Sequence, residues 1–263
     1  FVKPLFFVAS LFIAMAPVQA QEKTAEPSLQ DQYITAVLWQ QVSGEYRALC
    51  YQAYNWARVA FDQQTAGPKK TKPLAVIVDV DETVMDNSPY SARQIMDRLN
   101  YPSGWEDWTL SATARAVPGA IEFLQYASAK GAEIFYVTNR NVREKNATIE
   151  NLKSLGFPNA DTIHVMVKIT QSGKEPRRQK VAETHEIVLL VGDNLNDFSD
   201  VFEKKTIDDR FKAVDNAKEL FGKKFIVVPN AMYGDWEGAM TGYNYKLTEK
   251  EKDEIRRKWL RTK

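Results

Sequence analysis

Two aspartates, Asp79 and Asp81, stand one residue apart just after the aliphatic run Leu74-Ala75-Val76-Ile77-Val78. A short, unbroken apolar run is the pattern of a strand buried on both faces of a parallel sheet. Such a strand carries the residues that follow it to the sheet's carboxyl edge, where open α/β sheets bind ligands. In an extended chain residues two apart point the same way; where the strand opens into a loop they can diverge and flank one reacting centre. Two like charges placed there are costly unless a cation or a proton shares the site. The pair alone suits two readings equally. It is either a strand end capped by solvated acids, or an aspartate nucleophile and an aspartate acid/base beside a divalent metal.

Three further strands bring other groups to the same edge. Ala132 to Val137 reads as a strand ending in Thr138-Asn139-Arg140, and Ile163 to Val167 as one leading to Lys174 at the head of a helix that runs to Thr184. Glu186 to Val191 is a fourth, ending in Gly192-Asp193 with Asp197 just beyond. Singly, each group has an ordinary use as a cap, a solvated lysine or a turn. Together, in this order at consecutive strand ends, they make a phosphoryl-transfer site. Moving a phosphoryl dianion onto a carboxylate requires positive charge and oriented donors. Mg²⁺ held by Asp79 and Asp193 would neutralise the first repulsion. Lys174 would offset charge on the equatorial oxygens and the Thr138 hydroxyl would donate to them, with Asn139 a candidate substrate contact. Asp81, when protonated, can give its proton to the leaving alkoxide and then act as base for the water that cleaves the aspartyl-phosphate.

Strands alternating with helices predict a Rossmann-like α/β fold, a right-handed doubly wound parallel sheet. Its core spans residues 74–83 and 117–247, including helices from Val117 to Lys130 and Asn141 to Leu155 and a fifth strand from Phe225 to Val228. Residues 84–116 lack clear periodicity, hold Tyr90, Tyr101, Trp105 and Trp108, and read as a cap inserted over the strand ends. Ahead of the core, residues 21–73 form a helical segment and linker. Ile34, Leu38, Tyr46, Leu49, Ala53, Trp56 and Ala60 mark a face expected to pack on the core or on a partner, and Ser43-Gly44 is a candidate break. Thr248 to Glu251 is a capping box that opens a C-terminal helix within residues 248–263.

At 263 residues, 44% hydrophobic and 26% charged, the chain suits one sizeable domain. A net charge of +1 gives no electrostatic case for binding a nucleic-acid polymer. Residues 1–20 read as a secretory signal, with Lys3, an apolar stretch from Leu5 to Ala16, and Val18-Gln19-Ala20 at the cleavage site. That predicts a periplasmic or secreted protein, and no later segment is a candidate membrane span. Cys50 is the single cysteine, so no intramolecular disulfide is available.

The whole set resembles the four motifs of the haloacid-dehalogenase (HAD) superfamily: Asp79-Val80-Asp81-Glu82-Thr83, Thr138, Lys174 and Gly192-Asp193-Asn194-Leu195-Asn196-Asp197. Ile77 to Tyr90 and Val191 to Phe198 are similar to the paired signatures of bacterial class C acid phosphatases, the DDDD-type, lipoprotein e group. The likeness runs from about Trp39 to Glu237. It implies Asp79 as nucleophile and Asp81 as acid/base. It also implies Mg²⁺ bound by the carboxylates of Asp79 and Asp193 and the main-chain carbonyl of Asp81, with Asp197 assisting. The substrates it implies are small phosphomonoesters, above all nucleoside 5'-monophosphates, nicotinamide mononucleotide among them. Trp105 and Tyr233 match positions where the family stacks the base or ring. The resemblance also suggests a homodimer, for which the aromatic N-terminal helices offer a surface. Many members carry a lipid-modified cysteine at the cleavage site; none stands there in this chain, which argues against a lipid anchor.

Other phosphatase chemistries fit poorly. Neither His164 nor His185 lies in an Arg-His-Gly setting, and Trp56 stands where a Cys-x5-Arg motif starting at Cys50 would need its arginine. Two histidines are too few for the usual dinuclear sites. The rival from another class is a non-catalytic surface or haem-binding protein on the same fold, against which the retained Asp79 argues.

Overall fold

The computed structural model describes residues 29–68 and 70–262, so the signal reading at residues 1–20 lies outside the described residues. In chain order, α1 (Ile34–Val42) and α2 (Gly44–Thr65) precede β1 (Leu74–Val78). The next segment holds β2 (Met85–Asp86), α3 (Ser88–Asp97), α4 (Trp105–Leu110) and β3 (Arg115–Ala116). Then come α5 (Ala120–Ala129), β4 (Ala132–Asn141), α6 (Lys145–Ser154), β5 (Val165–Lys168), α7 (Glu175–Thr184) and β6 (Glu186–Gly192). The chain closes with α8 (Ile207–Asn216), β7 (Phe225–Val227), α9 (Asp235–Met240) and α10 (Glu249–Trp259).

The main sheet runs β5-β4-β1-β6-β7 in space and every pairing in it is parallel. β1 is its middle strand, which explains the unbroken apolar run: both faces are covered. Val76 and Val78 enter one core with Tyr54 and Phe61 of α2, Phe123 and Leu124 of α5 and Leu152 of α6. Ala75 and Ile77 enter the other with Val181 of α7 and Phe198, Phe202 and Phe225, and Ala213 and Val214 of α8 pack onto it. The doubly wound α/β architecture expected from the sequence is present.

Several boundaries differ from expectation for local reasons. β4 continues to Asn141, because after a register shift Asn141 still pairs with Lys168 of β5. The expected helix from Asn141 begins instead as a 3₁₀ turn, Val142–Glu144, before α6. Asn141 Oδ1 accepts from Arg143 N (2.8 Å) while the Glu144 carboxylate accepts from Asn141 N (2.6 Å), a reciprocal cap. α5 starts at Ala120 rather than Val117, since Gly119 takes φ +86° and packs under Tyr54. α8 had no place in the sequence reading; Thr206 opens it by accepting from Asp209 N (3.2 Å). Residues 84–116 are more regular than expected, an antiparallel β2–β3 ribbon (Met85 opposite Ala116, Asp86 opposite Arg115) carrying α3 and α4.

The N-terminal helices break at Ser43 as expected, and the face named from the sequence divides, with Tyr46 and Ala60 buried and its other large apolar members outside. In α2 the buried set is Tyr46, Cys50, Tyr54, Ala57, Ala60 and Phe61, whereas Ile34, Leu38, Leu49 and Trp56 lie outside. Two apolar stripes overlap there, and the one that packs is the one that places Tyr54 beneath the β1 loop, its hydroxyl donating to Thr83 O. Cys50 is buried and unpaired. Among the described residues no helix is long and apolar enough to cross a membrane.

Candidate active site

The carboxyl edge gathers the predicted groups because β1, β4 and β6 are neighbours in the sheet. Asp79 follows β1 directly, anchored by its N–H to Val191 O at 3.0 Å. Its Oδ1 takes a short hydrogen bond from Lys174 Nζ, and Lys174 Nζ also reaches Asp197 Oδ1 at 2.6 Å. Lys174 stands just before α7, and both its pairs are buried. Asp193, at the end of β6, is held from two sides: Asn230 Nδ2 donates to Oδ2 (2.8 Å) and Thr83 Oγ1 lies 3.2 Å from Oδ1. The same hydroxyl is 3.3 Å from Asp79 Oδ2, so Thr83 bridges the two carboxylates.

Oxygens of Asp79, Asp193 and Asp197 all lie within 4.8 Å of one another. Gly192 makes that possible, for a Cβ there would sit 2.7 Å from Asp197 Cγ and closer still to its Cβ and Oδ2. Asp197 Oδ2 is further fixed by Asn194 N at 3.0 Å.

Electrostatics show what the cluster lacks. Burial, only partly offset by Lys174, pushes Asp79 up to about 7, and Asp197 and Asp81 add to the rise. Burial, with Asp197 and Asp79 reinforcing it, drives Asp193 well above the carboxylate range. Burial works against the Lys174 ammonium, but Asp197 and Asp79 outweigh it and hold its pKa above the usual lysine value. Three clustered carboxylates thus have one lysine beside them, paired directly with Asp79 and Asp197. A divalent cation among them would supply the missing charge, and an all-oxygen donor set suits a hard cation. The residues fit such an ion.

Asp81 points elsewhere. Its Oδ1 accepts from Arg140 Nε (3.0 Å) and Nη2 (2.9 Å) and from Asn87 Nδ2 (2.9 Å), while Oδ2 has only the Thr138 hydroxyl at 3.4 Å. The Asp81 side chain is therefore apart from the Asp79, Asp193 and Asp197 cluster, and its main-chain carbonyl is the group that the resemblance assigns to a metal. Arg140 is buried, ties Thr148 of α6 through Nη1 (3.1 Å) and lies 5.8 Å from the Trp105 ring. Asn87 is in turn held by Trp108 Nε1 (2.8 Å), so the 84–116 segment is wired to Asp81.

The outlying candidates divide. Thr138 is fully buried beside Asp81. Asn139 is exposed and its Oδ1 is taken by Arg177 Nη2 at 2.8 Å. Trp105 packs edge-on against Tyr90 (5.0 Å) and Tyr101 (5.9 Å), all within residues 84–116. Tyr233 turns its hydroxyl inward onto Glu82, while the residue as a whole is 38% exposed. Burial and the neighbouring Asp81 hold Glu82 up at about 8. Sequence reasoning gave no role to Thr83, Asn87, Arg140, Arg177 or Asn230. Thr83 and Arg140 sit inside the quoted motifs, two residues past Asp81 and Thr138, and their position was the available signal. Asn87 and Asn230 also lie within the stretches that carry the resemblance, but the contact of Asn230 with Asp193 exists only once β7 lies beside β6.

A family model described as "HAD superfamily, subfamily IIIB (Acid phosphatase)" matches residues 8–236. The chain belongs to that family. Its fold is that of the class C acid phosphatase from Bacillus anthracis, at TM-score 0.86 and 45% identity, covering 89% of this chain and 99% of that one. A second structure of that enzyme, with tungstate bound, matches at TM-score 0.86 and 44% identity over the same shares. Acid phosphatase 1 of Solanum lycopersicum is 30% identical over 86 residues, a match that spans 31% of this chain and 32% of the tomato protein.

Proposed function

We propose that the chain is an exported, Mg²⁺-dependent acid phosphatase that hydrolyses small phosphomonoesters through an aspartyl-phosphate at Asp79. The observation that carries this reading is the convergence of Asp79, Asp193 and Asp197 with one buried lysine at a single sheet edge. Bound at Asp79 and Asp193, the cation would neutralise the approach of the phosphate dianion. Lys174 would offset charge on the phosphate oxygens and the Thr138 hydroxyl would donate to them. An Asp79 oxygen attacks phosphorus as the ester oxygen leaves, taking its proton from Asp81 Oδ2, the Asp81 oxygen that Arg140 and Asn87 leave uncommitted. Asp81 then takes a proton from the water that opens the acyl-phosphate, which returns Asp79 and releases phosphate. The tungstate that binds the Bacillus anthracis enzyme, a tetrahedral oxyanion like phosphate, is consistent with a preformed oxyanion site in this fold.

The substrate class we infer is nucleoside 5'-monophosphates, with Trp105 and Tyr233 as candidate ring contacts. Phosphate release from a panel of esters at pH 5 to 6, with Mg²⁺ and with a chelator, beside Asp79→Asn, tests the chemistry. Release that needs metal and is lost in Asp79→Asn is expected; turnover that survives in that variant refutes the nucleophile. Trp105→Ala should raise KM for nucleotides more than for 4-nitrophenyl phosphate, and equal effects refute the ring contact. Export follows from residues 1–20, and an N-terminal sequence of the secreted protein starting near Gln21 is its test.

A further inference from the structure

Directly after Lys174, the first turn of α7 carries two adjacent arginines that face opposite neighbours. Arg178 reaches toward β6: its Nη1 donates to Asn196 O and Asp197 O, both at 3.0 Å. Its charge is matched by Glu175 Oε2 at 2.7 Å. Arg177 reaches toward β4 and β5. Its Nη1 makes a short hydrogen bond to Thr138 O and a long one to Met166 O (3.4 Å). Its Nη2 donates to Asn139 Oδ1 (2.8 Å), Ser172 O (3.1 Å) and Gly173 O (3.2 Å).

One guanidinium therefore ties three segments, β4 at Thr138 and Asn139, β5 at Met166, and the loop that leads into Lys174. A planar fork with five donors suits that task, and a lysine ammonium does not. Every acceptor is neutral. Among the described residues no carboxylate lies within ion-pair distance of Arg177, although Asp79, Asp197 and Glu203 act on it at longer range. Burial pulls its pKa below the usual arginine value, as expected of a cation that lacks a direct counter-charge. A half-buried guanidinium in this state favours an anion arriving beside it.

The geometry points to Arg177 as a positioning residue for the phosphate group, one that holds Thr138 and Lys174 in a single preformed cradle and adds an unpaired positive charge behind it. This rests on the reading of Thr138 and Lys174 as phosphate contacts. Preorganisation of this kind raises affinity by lowering the cost of ordering the loops on binding.

The test is calorimetric titration of inorganic phosphate into the Mg²⁺-loaded enzyme and its Arg177→Ala, Arg177→Lys and Lys174→Ala variants, with far-UV circular dichroism confirming the fold. Arg177→Ala should bind phosphate on the order of tenfold more weakly, and Arg177→Lys, which keeps the charge but not the three-way fork, should fall between it and the parent. Parent-like affinity in folded Arg177→Ala, with Lys174→Ala weakened, overturns the proposal and leaves the site reading intact. Parent-like affinity in Lys174→Ala as well sinks the site reading itself. If Arg177→Ala does not fold, Arg177→Lys decides: undiminished affinity there overturns the proposal.

Discussion

The Gly192→Ala variant tests the packing on which the acidic cluster depends. Gly192 ends β6, and its φ lies outside the left-handed region, so alanine meets no backbone penalty there. The obstacle is space. The added Cβ would stand 2.7 Å from Asp197 Cγ, with Asp197 Cβ and Oδ2 nearer still. Carbon atoms rest at about 3.5–4.0 Å, so the side chain of Asp197 must retreat by roughly an ångström. Its retreat strains both the 2.6 Å bond from Lys174 and the 3.0 Å bond from Asn194 N. Overpacking costs about 1–3 kcal/mol, which for a chain of this size lowers Tm by roughly 2–12 °C. A misplacement of about 1 Å within a site can cost on the order of 100-fold in kcat. Differential scanning calorimetry and steady-state kinetics across a Mg²⁺ titration measure both, and the concentration of metal for half-activation should rise. Gly44→Ala is the control: a Cβ there meets nothing within 4 Å, and its stability should hold or improve by about 0.4–1 kcal/mol. A Gly192→Ala enzyme with parental Tm, kcat and metal dependence would refute the claim that this glycine seats Asp197.

The remaining predictions concern the cluster, the loop beneath it and its charge. With metal chelated, the Asp79 carboxyl binds its proton up to about 7 in the folded protein but only to ~3.9 unfolded. The folded state then holds more protons across that interval, so stability falls as pH rises from about 4 to 7. Asp193 shifts in the same direction and deepens the fall. Mg²⁺ should therefore raise Tm more at pH 7 than at pH 5, and an equal rise at both would contradict the carboxylate assignment. Tyr54→Phe should destabilise by about 1–3 kcal/mol in urea titration, because Thr83 O loses its buried donor; an unchanged midpoint would show that bond to be idle.

The sequence determined which strands the main sheet has and their succession along the chain, though not where β4 ends. An unbroken apolar run had to be buried on both faces, so Asp79 had to emerge at the carboxyl edge. The alternation of strands and helices then placed Thr138, Lys174 and Asp193 at that same edge. Capping chemistry was equally local, and Thr248 with Glu251 could be read directly, since Thr248 Oγ1 accepts from Glu251 N at 3.3 Å and Glu251 Oε2 from Thr248 N at 2.7 Å. Tertiary structure decided which groups meet across the edge. Strand order put β4 and β6 on either side of β1, and only then could Arg140 reach Asp81, Thr83 bridge Asp79 to Asp193, and Asn230 arrive from beyond β7. It also decided the inward face of α2, where two overlapping stripes satisfied the same period and the Tyr54 contact with the β1 loop selected one. Periodicity names a face only when one stripe is available, and pairings between distant strands carry no local trace in the chain.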